Sequence, residues 1–266
     1  MSITTDLRVD PRARDLSNKV PEVTMVFWLI KLLSTTVGET GADYLAVHVG
    51  LGTAVTAAIM AAFLVLALAL QLRAAAYVPW RYWLTVILVS VVGTQITDAM
   101  TDRLDVSLYL STSVFAAALA LIFAIWFSVE KTLSIHTIFT RRRELFYWGA
   151  ILCTFALGTA AGDLATEALG LGFTIGVAIF AALIGAVALA YRWGLNAVLA
   201  FWTAYILTRP LGASLGDLLS QAREYGGLGL GSVATSLIFL TAISALIVRM
   251  SLAPVTPGAA AGTPPS

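Results

Sequence analysis

Four times along this chain, an aromatic residue followed by tryptophan leads ten residues later to glycine and five after that to aspartate. The copies are Phe27-Trp28 with Gly38 and Asp43, Tyr82-Trp83 with Gly93 and Asp98, Tyr147-Trp148 with Gly158 and Asp163, and Phe201-Trp202 with Gly212 and Asp217. The spacing holds without an insertion, although tryptophan occurs only seven times in 266 residues. Repetition at a fixed period signals one structural unit used several times over. Any fold for this chain must therefore offer four equivalent places.

The surroundings of the motif say what those places are. Only 12% of the residues are charged and 59% are hydrophobic, against about 25% charged in a soluble domain. A membrane-crossing helix needs about 20 mostly apolar residues. Segments 22–46, 50–72, 80–104, 107–129, 145–168, 172–191, 195–220 and 229–250 meet that length. Runs such as AAIMAAFLVLALALQ are unbroken and rich in Ala and Leu, unlike the alternating segments of roughly 10 residues in membrane barrels. The expected fold class is all-α integral membrane, with eight transmembrane helices.

Each span bearing the motif (helix A) precedes a plain apolar span (helix B), giving repeats at about 22–72, 80–129, 145–191 and 195–250. An even number of spans per repeat makes all four enter the membrane in the same sense. The repeats are then parallel, with pseudo-symmetry about the membrane normal, unlike the inverted repeats of many transporters. Residues 1–20 read as a polar cytoplasmic segment, 21–250 as the membrane domain, and the Pro/Gly/Ala-rich 251–266 as a disordered tail. Lys and Arg concentrate on one side: Arg8, Arg12, Arg14, Lys19, Arg73, Arg81, Lys131, Arg141, Arg142, Arg143, Arg192 and Arg249, against Arg103 and Arg223 on the other. The bias toward cytoplasmic Lys and Arg puts both termini in the cytoplasm of a bacterial inner-membrane protein. With a formal net charge of +1, no global field attracts nucleic acid, and the lone Cys153 forms no internal disulfide. The partners expected are the bilayer and a small cation substrate.

The aspartates are the costly part of the motif. A carboxylate within a span costs at least ~2.5 kcal/mol on insertion scales. Asp43 lies 15 residues past Trp28, about 22 Å along a straight helix, in the outer half of the membrane. Glu39 stands four residues before Asp43, and Asp102 and Glu167 stand four after Asp98 and Asp163, each on the same helix face. Glu39, Asp43, Asp98, Asp102, Asp163, Glu167 and Asp217 form the candidate cation-binding set, with Lys31 and Arg209 as charge partners within spans. Carboxylate oxygens suit Mg²⁺, Ca²⁺ or Mn²⁺, which makes Asp43, Asp98, Asp163 and Asp217 the candidate metal ligands. Thr40, Thr94, Thr97, Thr159 and Ser214 are the hydroxyls near them. No resident cofactor is expected beyond a bound divalent cation. The competing reading is structural: aspartates at helix ends that accept hydrogen bonds from loop amides.

The other motif positions have simpler expectations. Aromatic–Trp pairs near the cytoplasmic ends predict interface anchors. The glycines predict close helix contact or a local break, and Gly-Glu-Thr-Gly and Thr-Arg-Pro-Leu-Gly both predict interrupted helix. Pro210 predicts a kink. Lys31, three residues past Trp28, is expected to snorkel to the interface, whereas Arg209 is deeper and pairs with an acid.

The strings KVPEVT, FWLIKLLSTTVGETGADYL and TRPLGASLGDLL, with the four Gly-x4-Asp units, resemble a bacterial family of uncharacterised membrane-anchored proteins built from a short repeat of unknown function. The resemblance covers about residues 19–250. It implies the eight-helix, four-repeat architecture and carries no activity.

The residues themselves point to a secondary transporter or exporter of a cation, with a divalent metal such as Mn²⁺ or Mg²⁺ favoured. Transport of a small organic cation or metabolite, or a non-transport scaffold with a structural Asp layer, are the alternatives. An enzyme is not expected, because no core His lies near a Ser or Cys nucleophile. A fluorescent protein fused to the C-terminus is predicted to fluoresce and an alkaline phosphatase fused there to be inactive; the reverse pattern overturns the orientation.

Overall fold

A computed structural model describes residues 18–48 and 53–252; residues 1–17 and 253–266, with most of the expected polar head and tail, lie outside it, as do the side chains of Asp43, His48 and Asp102. Among the described residues there are eight α-helices: α1 (Met25–His48), α2 (Thr53–Leu72), α3 (Pro79–Asp98), α4 (Leu108–Glu130), α5 (Arg141–Asp163), α6 (Gly172–Arg192), α7 (Ala197–Ser220) and α8 (Ser232–Leu252). Their starts follow from local chemistry. Pro79, which lacks an amide hydrogen, opens α3. The side chains of Ser107, Thr140 and Asn196 accept hydrogen bonds from the first amides of α4, α5 and α7.

Six helices are long and apolar enough to cross a membrane, α2, α3, α4, α5, α6 and α8, and they mark the chain as a multi-pass membrane protein. The remaining two, α1 and α7, are 24 residues each but carry Lys31, Glu39 and Asp43, or Arg209 and Asp217. Their position explains this composition. Helices α1, α3, α5 and α7 form an inner ring, each packing on the next and α7 closing on α1. The B helices lie outside, and each packs chiefly on the A helix of the following repeat: α2 on α3, α4 on α5, α6 on α7, and α8 back on α1. Every repeat is thus completed by its neighbour, and the chain's last helix covers its first. The outer helices expose Phe63, Leu66, Leu121, Phe127, Leu183, Leu237 and Ile238.

The same cyclic order recurs at two levels inside the ring. At the helix starts, the first aromatic of each repeat meets the Trp of the next: Phe27 with Trp83 (5.5 Å between ring centroids), Tyr82 with Trp148 (5.5 Å), Tyr147 with Trp202 (6.2 Å), and Phe201 with Trp28 (5.7 Å). Phe27, Tyr82, Trp83, Tyr147, Trp148, Phe201 and Trp202 are buried. This corrects the expectation of interface anchors. An aromatic ring with a polar tip fits a wet boundary and a packed core equally well, and here the core takes it. Two of the indole tips find partners, with Trp202 Nε1 donating to the Leu133 carbonyl at 2.9 Å and Trp83 Nε1 to Tyr77 Oη at 3.2 Å, whereas Trp148 Nε1 is buried without one. The exposed aromatics at helix ends are instead Trp80, Tyr109, Tyr191, Trp193 and Tyr225.

One layer further on, each motif glycine packs against the residue seven past the Trp in the next repeat: Gly38 on Ser90, Gly93 on Phe155, Gly158 on Arg209, Gly212 on Thr35. A Cβ at any of the four would lie within 3.0 Å of that neighbour, so the glycines let the inner backbones approach, as expected. The expected helix breaks do not occur. Helices α1 and α7 run on as helix through Gly-Glu-Thr-Gly and through Pro210. The irregular backbone is instead a π-helical turn directly after Asp98 (Ala99–Arg103) and after Asp163 (Leu164–Ala168).

At the helix-start end, Lys19 Nζ lies 2.7 Å from Glu144 Oε2, and Gln71 Nε2 donates to Glu144 Oε1 at 3.2 Å. This buried cluster ties the segment before α1 to the end of α2 and the start of α5. Substituting Gly158→Ala is predicted to lower stability by about 1–3 kcal/mol, because the Arg209 and Pro210 side chains stand in the way. Gly185→Ala on α6, where nothing lies within 4 Å, should leave the unfolding temperature in detergent unchanged; equal effects of the two would contradict the ring contact.

Candidate functional site

The parallel inner helices bring the motif aspartates to one end of the ring, opposite the end that carries most of the Lys and Arg. A cavity of about 520 Å³ lies there, lined by Glu39 of α1, Gln95 and Asp98 of α3, Asp163 of α5, Glu167 in the π turn that follows it, Asp217 of α7, and Gln221 just past its end. Thr53, Ala54 and Ala57 of α2, Leu108 of α4, Phe173 of α6, and Thr101 and Arg103 add mixed walls. Five expected acids therefore face one space, while Asp43 and Asp102 lie outside the described side chains. Among the described residues, five carboxylates share the lining with one guanidinium, that of the exposed Arg103. Asp163 is at the centre of this charge, within electrostatic reach of Glu39, Glu167, Asp217 and Asp98. Among the described residues, no group of three or more His, Cys, Asp or Glu side chains is gathered closely enough to hold a metal ion; the carboxylates are spread around the wall.

Glu39 forms the boundary between the cavity and the layer beneath. Its Oε2 lies 3.0 Å from Arg209 Nη1, so the expected pairing of Arg209 with an acid is found and its partner is Glu39. The Arg209 guanidinium also donates to Thr159 Oγ1 at 2.7 Å, to Thr94 Oγ1, and to the Thr35 carbonyl at 3.4 Å. Its carbon centre stands 5.4 Å from the Phe155 ring centroid. One side chain from α7 thus touches α1, α3 and α5. Of the other expected hydroxyls, Thr97 donates to the Ala156 carbonyl at 3.0 Å and Thr40 pairs with Ser236 at 2.7 Å.

Lys31 departs from expectation. It does not snorkel: its side chain is fully buried, with Nζ over the rings of Phe155 (4.0 Å) and Tyr205 (4.4 Å) and 3.1 Å from Thr35 Oγ1. The aromatic layer beneath it blocks the way to the interface. No described carboxylate lies within 4.0 Å of it. Two buried basic side chains thus share a layer with one carboxylate, which pairs with Arg209.

Phe155 and Thr35 were not singled out by their chemistry. Their signal is positional. Thr35, Ser90, Phe155 and Arg209 all stand seven residues past their Trp, and that position packs on the glycine of the preceding repeat.

Fold and site together define an all-helical protein of four repeats, with six helices long and apolar enough to cross a membrane, a closed aromatic layer at one end and an acidic cavity at the other. The chain belongs to the family described as "Repeat of Unknown Function (DUF347)", whose model matches residues 26–77, 81–132, 146–194 and 200–253. Each match takes in one A helix and the B helix after it. No curated protein and no solved structure matches the chain.

Breaking the Glu39–Arg209 pair from one side is predicted to cost roughly 3–5 kcal/mol, and replacing both partners by neutral residues far less. Glu39→Gln and Arg209→Gln should each lower the unfolding temperature sharply, and the double variant should recover most of it. Additive losses would show that the two side chains are not coupled.

Proposed function

We propose that the protein is a secondary transporter or exporter of a cation, that all eight helices cross the bacterial cytoplasmic membrane, and that the acidic cavity is the binding chamber. The observation that carries this reading is the convergence of Glu39, Asp98, Asp163, Glu167 and Asp217 on one cavity of about 520 Å³. Like charges held together in a poorly solvated space repel, and a cation that enters relieves the repulsion. The structural alternative, aspartates each capping its own helix end, would not by itself set acidic side chains from all four repeats around a common space.

The layers below give the chamber a closed side. Beneath Glu39 come Arg209 and Lys31, then the interlocked aromatic rings. A passage shut at one end and hollow at the other is one of the two states that alternating access requires. The Lys and Arg distribution assigns the aromatic end to the cytoplasm and the acidic end to the outside. Weak contact between α1 and α2 and between α7 and α8, set against firm contact between successive repeats, supports movement of the B helices with their neighbours' A helices.

Purified protein in liposomes should carry methylammonium or Mn²⁺ across the membrane. Asp98→Asn together with Asp163→Asn should lower the rate by about tenfold or more, the equivalent of roughly 1.4 kcal/mol. A flux unchanged in the double variant, with folding intact, would remove the acidic cavity from the pathway.

A further inference from the structure

We propose that Arg209 is the resident occupant of the transport site, a guanidinium that the cargo displaces from Glu39, and that the cargo is a small organic cation of the guanidinium or ammonium class. This rests on the transport reading and assigns it a substrate class and a gate.

The surroundings of Arg209 are a finished cation cradle. A carboxylate comes from α1 (Glu39, 3.0 Å), a hydroxyl from α5 (Thr159, 2.7 Å), another from α3 (Thr94), a backbone carbonyl from α1 (Thr35, 3.4 Å), and an aromatic face from Phe155. Three repeats supply ligands and the fourth supplies the guest. The guest is peculiar to one repeat, since the equivalent positions hold Thr35, Ser90 and Phe155.

Two features make this guest displaceable. Glu39 belongs to the cavity wall as well as to the ion pair, so a cation descending through the cavity reaches the carboxylate that Arg209 holds. Arg209 Nε is fully buried without a hydrogen-bond partner, so the guanidinium is incompletely satisfied where it lies. Arg209 cannot escape by losing its proton; it has to move. Asp163, one helical turn beyond Thr159 on α5, offers the next carboxylate.

The ligand set also discriminates among cargoes. One carboxylate, two hydroxyls, a carbonyl and an aromatic face match a cation that donates several hydrogen bonds and stacks on a ring. A divalent metal asks for several charged oxygens at once.

The test is calorimetric titration of the full-length protein in detergent with guanidinium, methylammonium and Mn²⁺, for wild type, Arg209→Gln and Arg209→Lys. If Arg209 competes with cargo, Arg209→Gln should bind guanidinium about tenfold or more tightly, and bound guanidinium should raise its unfolding temperature more than that of wild type. Arg209→Lys, which keeps the charge and is the variant to read if Arg209→Gln does not fold, should show a smaller gain in the same direction. Unchanged or weaker binding of guanidinium and methylammonium in a folded variant makes Arg209 a structural tie only and overturns the proposal. A gain confined to Mn²⁺ overturns the assigned cargo class. Absence of cation flux by wild-type protein in liposomes would instead remove the transport reading, whatever the titrations show.

Discussion

The structure turns on one long side chain placed where four helices meet. Arg209 leaves α7 against Gly158, whose missing side chain makes room for it, and ends among Glu39, Thr94 and Thr159 on the other three inner helices. A charge there is tolerable only because a carboxylate and hydroxyls surround it. That requirement fixes the register of the inner helices, because sliding α1 by one turn would carry Glu39 about 5.4 Å away. Ring, cavity floor and closed aromatic layer are all consequences of that register.

Pseudo-symmetry makes the register repeatable. The same aromatic-on-Trp contact and the same glycine-on-neighbour contact occur four times in one rotational sense, and the B helices follow that sense outside. Function departs from symmetry. Where three repeats place a small or aromatic residue, one places an arginine; where two repeats have a threonine after the motif glycine, one has Glu39. The cavity has fourfold scaffolding and a singular floor.

Much of this was legible in the residues. Invariant spacing from Trp to Asp on helices of one direction forces the carboxylates to one level, and that level became a shared cavity. Close packing at the glycines was readable for the same reason. Lateral facts were not. Spacing along a helix tells height and leaves open which neighbour a face meets, so the packing of each B helix on the following repeat could not be read. The aromatic–Trp pairs misled because the same residues suit the membrane boundary and a buried seam, and only the ring closure decides between them. Lys31 misled likewise: its height allowed snorkelling, but the aromatic layer lay between it and water. Helices α1 and α7 look least like spans by composition because they carry the groups that the others enclose.

Cation transport through this site requires the acidic end to be a solvent-reachable, negatively charged chamber whose floor is sealed at Arg209. Cysteines placed one at a time at Gln95, on the cavity wall, and at Ser90, buried beneath Gly38, in a Cys153→Ala background, test that directly by their rates with cationic and anionic thiol reagents applied from outside. The chamber predicts fast reaction at position 95, several-fold faster with the cationic reagent, and no reaction at position 90. Equal rates with both reagents, or ready labelling at position 90, would contradict it.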